Sequence, residues 1–295
     1  MNHETTILVT GASGFLGQRL TTRLEDIGTV VGISHSNAAK SLLQVDLRDN
    51  DALKEMVKKV RPDAVVHSAA YRDPDFCEDH LDEARRLNVA PVERFCELLP
   101  DSVPLLFISS DYVFDGANPP YREGDTPQPV NEYGRLKVVA ENLVLGRETG
   151  SVLRIPLLIG AGSTWDSSGF ISKTVAQIQD SSPSHLDDAG IRFPVWTEDV
   201  ADAAAHLLDI NARGVFHYSS LEGGTKYKWA LDLAKLTGLS TEHITPHREG
   251  VPSSAPRPGN TQLAIDKIKR TGFSRFTPFK DVAQTVLRRF RPIDS

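Results

Sequence analysis

The strongest constraint on this chain lies near its start, where a short apolar run, Thr6–Thr10, passes directly into Gly11-Ala12-Ser13-Gly14-Phe15-Leu16-Gly17 and then into a helical pattern continued by Leu20 and Leu24. Glycines at this spacing between a strand and a helix predict a tight turn whose helix N-terminus faces an anion. Gly11 is expected to take the turn, Gly14 to let the backbone approach a pyrophosphate, and Gly17 to let helix and strand pack closely. Ser13, Phe15 and Leu16 complete the cradle. A glycine triplet alone is weak, and its force here comes from the strand before it and the helix after it.

The pattern that follows is that of an α/β protein. Apolar runs at 29–33, 64–67, 105–109 and 151–155 alternate with helical spacing at 16–26, 49–60, 81–98 and 131–147. This predicts a doubly wound parallel sheet of the Rossmann type. After Gly160 the composition shifts: Gly160–Gly169 and Asp180–Gly190 are rich in Gly, Ser and Asp, and Pro246–Gly259 carries four prolines. Loops are expected there, among helical patterns at 170–179, 199–208, 226–236 and 280–289 and an apolar run at 214–218. The expected organisation is a dinucleotide-binding domain over 1–160 and a smaller C-terminal substrate lobe over 161–295, with part of 191–220 returning to the sheet.

Composition narrows the function classes. With 295 residues the chain can bury a sizeable core without disulfides. A formal charge of −6 with no basic block argues against nucleic acid as a partner. No apolar stretch approaches the roughly 20 residues that span a bilayer, so no membrane segment is expected. Two cysteines and a polar N-terminus point to a cytoplasmic protein. Cys77 and Cys96 are expected to be inert thiols, and His217, Trp196 and Trp229 core residues.

The end of the second strand, Ser34-His35-Ser36 with Lys40 nearby, carries no Asp or Glu anywhere between Thr29 and Gln44. An NAD site usually places a carboxylate there for the ribose 2′-hydroxyl, so NADP(H) is expected in preference to NAD(H). Asp46-Leu47 follows a third short strand, where Asp46 either accepts from an adenine amino group or serves the next helix as an N-terminal acid. Ser68, Ala69 and Ala70 end another strand with side chains small enough for a cofactor to lie against them.

Tyr133 and Lys137 stand four residues apart on one helix face. A neighbouring ammonium stabilises a phenolate, so Lys137 is expected to draw the Tyr133 pKa down towards working pH and make it a general acid. Ser110, at the end of the run 105–109, would orient a substrate carbonyl at the carboxyl ends of the strands, where open α/β sheets bind ligands. Trp165, in a glycine-rich loop, either stacks on a substrate base or covers apolar surface.

These motifs, with Arg61–Ala70, Leu87-Asn88-Val89, Ser109–Gly116, Pro120–Glu123 and Arg154-Ile155-Pro156, resemble the extended short-chain dehydrogenase/reductase superfamily. Within it the chain is similar to the branch holding dTDP-4-dehydrorhamnose reductase and the regulatory beta subunit of methionine adenosyltransferase. The resemblance implies that Ser110, Tyr133 and Lys137 form the catalytic set, with Lys137 also holding the nicotinamide ribose and Asn88 supporting a proton-relay water. It implies that Ile155 lies beside the nicotinamide, and that Tyr71, Asp111 and Arg257 face a nucleotide-sugar substrate. It implies a homodimer through the helices at 81–98 and 133–147. Some reductases of the branch carry a metal-binding Glu where this chain has Arg19, so no magnesium site is expected. Stretches such as Arg192-Phe193-Pro194 and Gly214–Tyr218 are more similar to the regulatory subunit, which keeps a regulatory protein partner as the alternative to a reductase. Against that alternative, the regulatory subunit's longer tail is not matched after Arg289–Pro292. A sugar-nucleotide epimerase or dehydratase is the further enzyme alternative, disfavoured because Asp111-Tyr112, not an Asp-Glu pair, follows Ser110.

Overall fold

The computed structural model describes residues 5–35, 42–249 and 253–290. The first six strands are β1 (Thr6–Thr10), β2 (Thr29–Ser34), β3 (Leu43–Gln44), β4 (Ala64–His67), β5 (Leu105–Ser110) and β6 (Gly150–Ile155). Four more follow in the second half: β7 (Leu158–Ile159), β8 (Ser184–Asp187), β9 (Val195–Trp196) and β10 (Gly214–His217). The last strand, β11, is Ile244–His247. Seven of them form one sheet in the order β10-β6-β5-β4-β1-β2-β3, every pairing parallel. The order reverses at β1, between the β1–β2 and β1–β4 pairings, and the carboxyl ends of the strands flanking such a point form a crevice for ligands. This is the expected doubly wound α/β sheet.

Strands β4, β5 and β6 are buried along their whole length, because helices cover both faces and leave no solvent side for alternation. One face takes α1 (Gly17–Leu24), whose Leu20 and Leu24 are fully buried. The opposite face takes α2 (Asn50–Val60), where Asp49 caps the helix by accepting from the backbone N–H groups of Asp51 and Ala52 at 3.0 Å each. Each such cap satisfies donors that the helix itself leaves free.

The single helix expected over 81–98 is two: α4 (Leu81–Asn88) and α5 (Ala90–Leu98), preceded by a short α3 (Pro74–Asp79). Val89 leaves helical geometry at φ −122°, two residues ahead of Pro91, whose ring lacks the N–H needed to continue the ladder. Asp73 and Pro74 open α3 as cap and first helical residue, a pairing favoured at helix starts. Helix α6 (Glu132–Leu145) begins at Asn131, which accepts from Gly134 N–H at 2.9 Å.

Beyond β6 come α7 (Phe170–Gln179), α8 (Thr197–Asp209), α9 (Lys226–Thr237), α10 (Asp266–Arg270) and α11 (Phe279–Phe290). Asp180–Gly190, expected as loop, contains β8, which pairs in parallel with β11. Trp229, Leu233, Phe279 and Val286 gather there into a core separate from that of the sheet. Strand β10 crosses back to pair with β6, His217 opposite Arg154, and α8 buries Ala201, Ala204 and Leu208 in the same core as Leu16, Leu20 and Leu24 around α1.

Candidate functional site

The carboxyl ends of the strands open into a cleft of about 810 Å³. One wall of it is the glycine cradle. Gly11 adopts φ +68°, and a Cβ there would meet the Ala69 backbone at 3.0 Å. A Cβ on Gly17 would fall 1.9 Å from the Gly11 carbonyl oxygen. Helix α1 starts without a side-chain cap and without an acid in its first turn, leaving its positive end available to a phosphate. Ser34 donates to Ser13 Oγ at 2.9 Å, tying the end of β2 to the cradle.

Thr10 organises the facing strip. Its hydroxyl oxygen accepts from Ser68 and Ala69 N–H at 3.1 and 3.3 Å, while Ser68 Oγ donates to the Thr10 carbonyl at 2.7 Å. Thr10 Oγ1 also lies 2.9 Å from His67 Nδ1. Ser68, Ala69 and Ala70 thereby line the cleft opposite Gly11, Ser13, Gly14, Phe15, Leu16 and Gly17.

At the other end of the cleft Ser110, Asp111, Tyr133, Lys137 and Ile155 come together. Ser110 Oγ donates to Asp111 Oδ1 at 3.1 Å and accepts from Tyr112 N–H at 3.2 Å. Asp111 Oδ2 accepts from the Thr261 hydroxyl; burial raises the Asp111 pKa, with Thr261 and Arg192 opposing. Lys137 is buried and donates to the Ile108 carbonyl at 2.9 Å. Burial lowers its pKa to about 8. The expected depression of the Tyr133 phenol is corrected here. Burial pushes its pKa up and the Ser110 hydroxyl pulls it back, while the Lys137 ammonium, 5.9 Å from the Tyr133 ring centroid, donates to the Ile108 carbonyl.

Beneath this set lies a buried polar chain. Ser109 Oγ donates to Glu141 Oε1 at 2.5 Å, and Arg154 donates to both Glu141 oxygens at 2.9 and 2.7 Å. His217 Nε2 sits 3.3 Å from Arg154. These contacts tie α6, β5, β6 and β10 together directly under the residues that face the cleft.

The remaining expectations divide. Tyr71 and Arg257 line the cleft. The Tyr71 hydroxyl donates to Glu83 at 2.7 Å, and Arg257 pairs with Asp75 at 2.8 Å. Asn88 does not line the cleft: it is buried, donating to the Tyr71 carbonyl at 2.9 Å and accepting Tyr71 N–H at 2.7 Å. Of the two readings of Trp165, the packing matches the apolar cover: its ring lies 6.2 Å from that of Phe290 between centroids, and it is not among the residues lining the cleft. Asp46 lines the cleft with Leu47, but Arg48 holds its carboxyl down at a pKa of about 2. Ser36 and Lys40 lie outside the described residues.

Cys77 and Cys96 have thiols raised to about 11 by burial, and Trp229 is fully buried while Trp196 is half-buried. The cleft also holds Arg48, Arg192 and Lys226, which the sequence reading did not select. Arg192 and Lys226 were visible only within similarity stretches, Arg192-Phe193-Pro194 and Thr225-Lys226-Tyr227. Among the described residues no group of three or more His, Cys, Asp or Glu side chains is placed to hold a metal. No described helix is long and apolar enough to cross a membrane.

A glycine cradle at the reversal point of a parallel sheet, with Tyr and Lys one turn apart beside a strand-end serine, defines the extended short-chain dehydrogenase/reductase class of NAD(P)-dependent oxidoreductases. Residues 5–291 match the model of the RmlD substrate binding domain, and the chain belongs to that family. Methionine adenosyltransferase 2 subunit beta of Bos taurus is 36% identical over 283 residues, 93% of this chain and 84% of the relative. A hypothetical dTDP-4-dehydrorhamnose reductase from Sulfolobus tokodaii superposes with a TM-score of 0.84 at 26% identity, covering 94% of this chain and 98% of that one. The dTDP-4-dehydrorhamnose reductase of Bacillus anthracis, solved with NADP, gives a TM-score of 0.86 at 20% identity over 98% and 100% of the two chains.

Proposed function

We propose that this protein is an NADPH-dependent reductase of a 4-keto sugar nucleotide. The observation that carries the reading is the convergence of Ser110, Tyr133 and Lys137 in the same cleft as the glycine cradle. The cradle fits a dinucleotide, because the clearances at Gly11 and Gly17 exclude any side chain and the positive end of α1 is uncapped. The bound cofactor supplies the hydride.

The chain's own residues handle the oxygen. Ser110 polarises the substrate carbonyl through its hydroxyl, and Tyr133 gives its proton to that oxygen as general acid. A phenol held protonated by burial keeps that proton in place until it is needed. Lys137 holds the nicotinamide ribose and provides positive charge behind the phenol. Ile155 flanks the nicotinamide, and Arg257 with Asp111 bounds the substrate end. Asn88 acts through the Tyr71 backbone.

NADP(H) is preferred over NAD(H), supported by the absence of any acid from Thr29 to Gln44. The residues after 160, apart from α8 and β10, which return to the sheet, serve as the substrate lobe. The protein works in the cytoplasm as a homodimer through α4 and α6, whose Leu81 and Val139 are exposed. The second reading, an NADP-binding regulatory subunit, is favoured by the 36% identity to methionine adenosyltransferase 2 subunit beta.

The test is NADPH consumption with dTDP-4-dehydro-L-rhamnose, run with NADH in parallel and with Tyr133→Phe. Turnover in the wild type that falls by about 10²–10⁴ in the variant supports the reductase. Tight NADPH binding without turnover sinks this substrate assignment and moves the weight to the regulatory reading.

A further inference from the structure

Arg48 stands on the turn between β3 and α2. The helix does not require an arginine there, because Asp49 provides the cap. Its guanidinium joins a row of polar side chains along the cleft. Nε donates to Asp46 Oδ1 and Nη2 to Asp46 Oδ2, each at 2.9 Å. Nη2 also lies 3.1 Å from His35 Nε2, and Nη1 reaches the Tyr71 hydroxyl at 3.4 Å. Asp46 sets the backbone as well, accepting Arg48 N–H at 2.9 Å. Both Asp46 oxygens are thus engaged by Arg48, which makes this carboxylate an arm that positions a guanidinium.

The place to which it is held matters. His35 directly follows β2, the strand end where an NAD site keeps an acid for the ribose 2′-hydroxyl. Parallel pairing of β2 with β3, Ile33 opposite Leu43 and Ser34 opposite Gln44, brings the following turn alongside that strand end. A cation from another part of the sequence therefore stands where the acid would be. A guanidinium offers a planar fork of donors that matches phosphate oxygens and stays charged at all working pH values. Arg48 keeps 27% of its side chain exposed, and it lines the cleft.

We propose that Arg48 reads the 2′-phosphate of the bound dinucleotide, with His35 beside it, and is the residue that sets the preference for NADP(H) over NAD(H). The proposal rests on the dinucleotide reading above and assigns that preference to one side chain. It also explains why an acid at position 46 is compatible with a phosphate. Without the arginine, the carboxylate would face the phosphate unscreened.

The experiment measures dissociation constants of NADPH and NADH by fluorescence titration for the wild type, Arg48→Ala and Arg48→Lys. The wild type is expected to prefer NADPH at least about tenfold, the scale of one charge-assisted hydrogen bond. Arg48→Ala should weaken NADPH by about 10–100-fold while shifting NADH by no more than about threefold, as for a surface substitution elsewhere. Arg48→Lys, which keeps the charge and loses the fork, should fall between the two. An unchanged NADPH:NADH ratio in both variants overturns the role of Arg48 and leaves the dinucleotide reading standing. A wild type that binds both nucleotides equally also overturns it. A wild type that binds neither overturns both. Should Arg48→Ala fail to fold by circular dichroism, Arg48→Lys and Arg48→Gln decide the same ratio.

Discussion

Gly17 faces the carbonyl oxygen of Gly11 so closely that a Cβ on Gly17 would fall 1.9 Å from it. The helix and the turn before it can share this space only with a hydrogen at position 17. Gly17→Ala must push α1 off the cradle, at a cost of about 3 kcal/mol, the upper range for overpacking. Urea denaturation should show a lower midpoint, and NADPH affinity should fall with it. A variant as stable as the wild type that binds NADPH equally well would refute this account of the cradle.

The buried pair of Glu141 and Arg154 should be costly to break and cheap to replace. Both side chains are almost fully buried, 2% and 3% exposed, so Glu141→Ala leaves a buried guanidinium without its counter-charge. The expected loss is about 3–5 kcal/mol. The double variant Glu141→Leu with Arg154→Met should recover most of it, since apolar isosteres of a buried pair are often neutral. Equal losses in single and double variants would show that Ser109 and His217, rather than the pair, carry the stability.

Two buried histidines fix the response to acid. Burial holds the pKa of His67 and of His217 down at about 3, while an unfolded histidine titrates near 6.5. Between these values the unfolded chain binds protons that the folded chain refuses, so stability falls as pH drops below about 6.5. The slope approaches about 1.4 kcal/mol per pH unit for each histidine. Ordinary carboxylates remain ionised between pH 7 and 5, and Lys137, at about 8, titrates above that window. The melting temperature should therefore drop from pH 7 to pH 5, and His217→Gln should reduce the drop. A flat profile across that window would contradict the burial of neutral imidazoles.

How much the sequence revealed depended on the range over which each contact forms. Gly11, Gly14 and Gly17 lie in one short stretch between an apolar run and a helical pattern, so their spacing together with that local context placed the cradle. The break at Val89 was equally local, written in Pro91, and was overlooked because the apolar pattern ran through it. Arg48 could not be found this way. Its meeting with His35 depends on the register of β2 against β3, and in the sequence it is one charged residue ahead of a helix cap. Trp165 shows the same limit: its partner Phe290 lies far along the chain, so the sequence left both a stacking role and an apolar cover open for it. The direction of the Tyr133 shift was missed for a related reason. Helical spacing puts Lys137 on the same face, but only the packed fold buries the phenol, and that burial is the largest cause of its raised pKa.

Strand β10 and helix α8 both come from the later part of the chain, yet one pairs with β6 and the other packs beside α1. The protein therefore cannot be dissected at residue 160 into a cofactor module and a substrate module. Such a fragment would present β6 as a bare sheet edge, a template for aggregation, and would leave the apolar face of α1 uncovered. Exchange of substrate specificity between relatives must then proceed through loops and single side chains around the cleft, because no cut at residue 160 releases a half that keeps its own core closed.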